Sequence, residues 1–129
     1  MNPTAYSEKA LIDKLGYKPG QTVLLFNPPE WFADYLLKNA VSIASGDFCD
    51  YAHGFFKDKA QISHFLQFIQ SKQPPHGFWV SWPKKTASLE SNVNEQIFRE
   101  IILPLGWVDT KVCAIDETWS GLLFLRRKN

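Results

Sequence analysis

The segment Thr22–Phe26 (TVLLF) constrains this chain most. It is an apolar run closed by turn chemistry on both sides, Lys18-Pro19-Gly20 before it and Asn27-Pro28-Pro29 after it. A short run without polar alternation reads as a strand buried on both faces, which is the pattern of a parallel sheet covered by helices. Parallel strands cannot be joined by tight turns, so such a sheet requires crossover connections elsewhere in the chain.

The rest of the sequence supplies them. Ser7 caps a short helix with Glu8 in its first turn; Ala10, Leu11 and Leu15 face inward and Gly16 ends it. After the first strand, Asn27-Pro28-Pro29-Glu30 reads as a helix start, with Asn at the cap, Pro at the first helical position and Glu three residues after the Asn. That helix runs to about Lys38, with Trp31, Phe32, Tyr35 and Leu36 as its buried stripe. Val41–Ala44 and Tyr51–Phe56 are short strands, the second weakened by Gly54. Asp58 and Gln61 signal a cap, after which Ile62, Phe65, Leu66 and Ile69 recur at helical spacing through Lys72. Phe78–Trp82 (FWVSW) is a strand. Asn92 and Glu95 cap a helix carrying Val93, Ile97, Ile101 and Ile102, and Pro104 and Gly106 stop it. Trp107–Ile115 and Leu122–Arg126 are two strands joined by Asp116–Gly121. The order α-β-α-β-β-α-β-α-β-β implies an α/β three-layer, Rossmann-like sandwich, mostly parallel, with an antiparallel edge hairpin.

Composition bounds the class. With 129 residues the chain suits a single α/β domain over residues 1–129. A net charge of +1 argues against a binder that neutralises many phosphates, so nucleic acid is not the expected partner. Two cysteines, Cys49 and Cys113, with no C-x-x-C, make neither a disulfide scaffold nor a zinc ribbon. Three scattered histidines without helical pairing predict no metal site. Met1–Tyr6 has neither a basic region nor an apolar core, and no apolar run is long enough to span a bilayer. The expectation is a cytoplasmic domain with no membrane partner.

Three segments carry a family likeness: Lys18-Pro19-Gly20-Gln21 before a strand, Val80-Ser81-Trp82-Pro83-Lys84-Lys85, and Lys111-Val112-Cys113-Ala114-Ile115-Asp116-Glu117-Thr118-Trp119-Ser120-Gly121-Leu122. Across about residues 7–127 the chain resembles a family of short bacterial proteins known as a domain of unknown function. The resemblance implies a trimmed S-adenosylmethionine-dependent methyltransferase-like core and no established activity. Methyltransferases usually place a Gly-rich loop after the first strand, where backbone approaches the cofactor closely. Here that place holds Asn27-Pro28-Pro29-Glu30, and the prolines remove amide donors. The nearest acidic residue for ribose hydroxyls is Asp47, in a loop. No cofactor is therefore assigned.

Three stretches stand out as a candidate ligand site. Asn27-Pro28-Pro29 resembles the N-P-P-aromatic signature of amino-methylating enzymes, although Glu30 takes the aromatic slot and a helix cap explains it as well. Trp82-Pro83-Lys84-Lys85 closes a central strand, where open α/β sheets bind ligands; two lysines beside an indole suit an anion and a ring, or simply a solvated loop. Asp116-Glu117-Thr118-Trp119-Ser120-Gly121 is richer in charge than a plain hairpin turn needs, and Lys84 or Lys85 can meet Asp116 or Glu117 across the rim, as a site or as a structural pin. The predicted ligand-binding residues are Asn27, Trp82, Lys84, Lys85, Asp116, Glu117 and Trp119, with Trp119→Ala expected to cost binding more than stability. His53 reads as a core histidine bonded to a neighbour, His64 and His76 as exposed, and Cys113 as an inert core residue. The leading expectation is a non-catalytic module that binds a small molecule or a protein on a methyltransferase-like scaffold. The alternatives are a divergent S-adenosylmethionine-dependent methyltransferase and a subunit that forms a homodimer through exposed aromatics.

Overall fold

The computed structural model describes residues 10–46 and 48–128. Ser7 and Asp47, singled out above, lie outside the described residues. The order is α1 (Leu11–Leu15), β1 (Thr22–Phe26), α2 (Glu30–Lys38), β2 (Ser42–Ile43), β3 (Tyr51–Phe55), α3 (Ile62–Lys72), β4 (Phe78–Pro83), α4 (Glu95–Ile102), β5 (Trp107–Ala114) and β6 (Trp119–Arg126). Six strands form one sheet in the order β2-β1-β3-β4-β6-β5. β2, β1, β3 and β4 pair in parallel, and β6 pairs antiparallel with both β4 and β5. The expected edge hairpin therefore folds inward, with β6 against β4 and β5 outermost. Burial explains the choice. β6 offers Leu122 and Phe124, both fully buried, whereas β5 carries Thr110, Lys111 and Val112 in solvent. A register shift between Asp109 and Lys111 bends this outer strand, a common way of blunting an edge.

Strand periodicity sorts the two layers. Ala52, Phe78, Val80, Trp82, Leu122 and Phe124 face α3 and α4, and pack on Phe65, Ile69, Phe98 and Ile102. Phe55, Trp79 and Trp119 face α1 and α2, and pack on Leu11, Leu15, Phe32 and Leu36. Gly54 fits this scheme through close approach. A Cβ there would lie 2.6 Å from the Phe56 ring, which folds back beneath the strand. Gly77, at φ 101°, sits where a Cβ would come 2.3 Å from the Phe124 carbonyl oxygen, so only glycine fits the turn into β4.

Several local readings are corrected. Asn27 does not cap α2: its φ is 55°, in the left-handed region, and Pro29 is the N-cap without a side-chain bond. The prolines thus form an extended lead-in, not the first turn. Trp31 leaves the buried stripe at 36% exposed, while Phe32 and Leu36 are wholly buried. The nine-residue helix presents only a narrow stripe to the sheet. Asn94, not Asn92, caps α4 by accepting the Ile97 N–H at 2.9 Å. Asn92 accepts the Lys59 N–H at 2.6 Å and ties the loop to the start of α3. Trp119, Ser120 and Gly121 belong to β6, because Ser120 and Gly121 pair on both sides, so the hairpin connection shrinks to residues 115–118. Cys113 is half-buried, on the outer strand. Among the described residues, no helix is long and apolar enough to cross a membrane.

Candidate functional site

The parallel strands β1, β3 and β4 end along one rim. From β1 the chain crosses to β2 on one side and then continues to β3 on the other, so the strand order reverses between β1 and β3. In open α/β sheets this switch point is where a crevice opens outside the carboxyl ends. A pocket of about 440 Å³ lies there, lined by Asn27, Pro28, Pro29, Phe55, Lys57, Gln61 and Trp119. Asparagine tolerates the left-handed backbone better than most residues, which suits it to this turn. The two prolines after it bring no N–H groups to the crevice.

The three predicted stretches share this rim. Pro83 pairs with Trp119 at the end of the β4–β6 ladder. The Lys84 N–H donates to the Thr118 carbonyl at 2.8 Å, and Lys84 Nζ donates to the Asp116 carbonyl at 2.7 Å. Asp116 Oδ1 accepts the Thr118 and Trp119 N–H groups at 2.8 and 2.7 Å. The expected Lys84–Asp116 meeting thus occurs through the main-chain carbonyl, because the carboxylate is committed to its own turn. Lys85 and Glu117 are exposed.

The two indoles do not stand in solvent. Trp82 is buried beside Phe98, ring centroids 5.5 Å apart, in the α3/α4 layer. Trp119 is buried edge-to-face on Phe55 at 5.2 Å, in the other layer. Trp119 belongs to the core that pins the hairpin to the sheet.

Placement divides the seven residues among three pockets. Asn27 and Trp119 share the switch-point pocket. Trp82, Lys84 and Lys85 border one of about 660 Å³ beside the start of α4. Lys84, Asp116 and Glu117 border one of about 590 Å³ whose other walls are α1 and α2. Sequence reasoning missed Leu11, Lys14, Trp31 and Tyr35 in this last pocket, because helical spacing assigned Trp31 and Tyr35 to the core. It also missed Lys57 and Gln61, although Lys57 lies just beyond the end of β3, a position that the carboxyl-end rule flags.

Beneath the rim runs a buried polar chain. The Tyr17 hydroxyl bonds His53 Nδ1 at 2.9 Å, and His53 Nε2 bonds Ser81 Oγ at 2.8 Å. The imidazole stacks on Phe55 at 4.4 Å and is wholly buried. Burial pushes its pKa down to about 3, which keeps it neutral, and burial raises the Tyr17 hydroxyl well above its ordinary value. His53 is thus a core histidine with two partners. Burial also raises both thiols, Cys49 and Cys113, which holds them protonated. Among the described residues, no group of three or more His, Cys, Asp or Glu gathers as a metal site.

No family model matches the chain, and no curated protein matches it. Solved structures do. A candidate type 11 methyltransferase from Sulfolobus solfataricus superposes with a TM-score of 0.64 at 12% identity, over 99% of this chain and 94% of that one. A SAM-dependent methyltransferase from Aquifex aeolicus superposes with a TM-score of 0.52 at 12% identity, over 96% of this chain and 94% of that one. At such identity the likeness speaks for fold alone. The chain has an α/β, Rossmann-like fold of the methyltransferase type.

Proposed function

We propose that this protein is a small, non-catalytic ligand-binding or interaction module on a methyltransferase-like scaffold, with the carboxyl rim of the sheet as its binding edge. The occupant is a small molecule or a protein surface. Lys84, Lys85, Asp116, Glu117 and Asn27 supply the polar rim, and Trp82 and Trp119 hold the two layers beneath it. The same proposal takes residues 1–129 as one domain of the short bacterial family that its motifs resemble.

One observation carries the reading. At the switch point, Asn27 in a left-handed conformation leads into two consecutive prolines. A nucleoside cofactor in the fold's usual pose relies on a glycine-rich loop and free backbone amides at that place. This loop has no glycine and lacks two of its amides, so the residues present do not fit S-adenosylmethionine held in that way. The rim around it is nevertheless built firmly, through the Lys84 ties to Thr118 and Asp116.

Calorimetric titration with S-adenosylmethionine and S-adenosylhomocysteine tests the proposal. The module reading expects no heat at about 1 mM of either compound. Dissociation constants of about 1–10 μM, some 7–8 kcal/mol of binding, would overturn it. They would favour a second reading, a divergent S-adenosylmethionine-dependent methyltransferase with altered cofactor contacts. That reading draws on two structural neighbours with methyltransferase descriptions, each matched over 94% of its length.

A further inference from the structure

The pocket of about 590 Å³ between α1, α2 and the β5–β6 turn has a definite chemical character. Its volume is within the ordinary range for a small-molecule site. Its floor is apolar, from Leu11 and Ile115, both part of the core beneath. On its α2 wall stands Trp31, 36% exposed and held edge-to-face by Phe32 at 5.4 Å and Tyr35 at 6.0 Å. An indole fixed in this way at the mouth of a pocket offers apolar area at little entropic cost.

The charges around it are unequally engaged. Lys84 Nζ is committed to the Asp116 carbonyl, and the Asp116 carboxylate to two N–H groups of its own turn. Lys14 on α1 and Glu117 on the turn line the same pocket, but neither side chain has a hydrogen-bond or ion-pair partner among the described residues. The two are not paired with each other either. Among the described residues, one uncommitted cation and one uncommitted anion thus border an apolar floor and an indole.

We infer that this pocket binds a zwitterion with an apolar or aromatic body, the chemistry of an apolar α-amino acid or of a short peptide made from such residues. Its carboxylate meets Lys14, its ammonium meets Glu117, and its body lies against Trp31, Leu11 and Ile115. A simple anion would face the Glu117 charge and a simple cation those of Lys14 and Lys84, so each single-charge ligand meets a repulsion that the zwitterion avoids. The inference rests on the rim being a ligand site.

The test uses full-length protein with its tryptophan indoles labelled with 15N. The Trp31 signal, assigned from the Trp31→Phe variant, is followed by NMR. L-Phenylalanine and L-phenylalanyl-L-phenylalanine are titrated against 3-phenylpropionate, which lacks the ammonium, and 2-phenylethylamine, which lacks the carboxylate. The zwitterions are expected to shift the Trp31 signal with at least about tenfold tighter binding than either single-charge analogue, and Lys14→Gln and Glu117→Gln should each abolish about tenfold of that affinity. Tighter binding of the amino acid assigns the site to free amino acids, and tighter binding of the dipeptide assigns it to peptides. Equal binding of all four compounds, or binding indifferent to both substitutions, overturns the inference. So does a Trp31 signal unmoved by either zwitterion at about 10 mM. The module reading itself falls only if S-adenosylmethionine binds tightly in the separate titration, so the two failures are distinguishable.

Discussion

Acid should unfold this protein by charging a histidine that the fold keeps neutral. His53 is wholly buried, and its pKa lies near 3 in the folded chain against 6.5 for an ordinary histidine. The folded-state value is the lower one, so protons bind preferentially to the unfolded chain. Stability is fully present above pH 6.5 and is lost as the pH falls from 6.5 toward 3; below that both states carry the proton and this loss stops. Each pH unit inside the window removes about 1.4 kcal/mol, so acidifying to about pH 4.5 costs roughly 3 kcal/mol. A domain with 5–15 kcal/mol of stability in total would lose a large fraction. The groups that face the imidazole are Tyr17, Ser81, Phe32, Phe55 and Trp79, and none of them titrates in this range. Urea midpoints measured across the window in the wild type and in His53→Gln make the comparison. Both proteins keep His64 and His76, so the difference in slope isolates His53. The wild-type midpoint should fall more steeply between about pH 6.5 and pH 4 than the His53→Gln midpoint. Parallel curves for the two would refute the argument that His53 is held neutral by burial.

Other outcomes follow from the same packing. Trp119→Ala should lower the unfolding free energy by about 3–5 kcal/mol in chemical denaturation, because it empties a packed aromatic site against Phe55. Asp116→Ala removes the acceptor of two N–H groups and should cost about 1–2 kcal/mol, whereas Asp116→Asn keeps one oxygen there and should recover most of it. Asn94→Ala should lower stability by about 1 kcal/mol through loss of the α4 cap, measured as a shift in urea midpoint. Gly77→Ala combines a φ of 101° with a 2.3 Å clash on the Phe124 carbonyl, so it should lose more than about 3 kcal/mol or fail to accumulate as folded protein.

Local chemistry determined much of this protein. The run Thr22–Phe26, the spacing of Ile62, Phe65, Leu66 and Ile69, and the Pro104–Gly106 stop are short-range signals. Each specifies its element without help from distant residues, and their alternation implies the layered α/β plan. The same reasoning brought Trp82, Lys84, Asp116 and Trp119 to one rim, because the carboxyl ends of parallel strands share one side of a sheet. Only the tertiary structure decided how those residues pack and bond there. Of two nearby asparagines, Asn94 caps α4 while Asn92 bonds the distant Lys59 N–H. Trp119 joins a strand because β4 and β5 give its neighbours partners on both sides. Trp31 stays in solvent because a short helix covers only a narrow strip of sheet. Burial, pairing across long sequence separation and the commitment of Asp116 to its own turn are properties of assembled layers, and periodicity along one chain does not contain them.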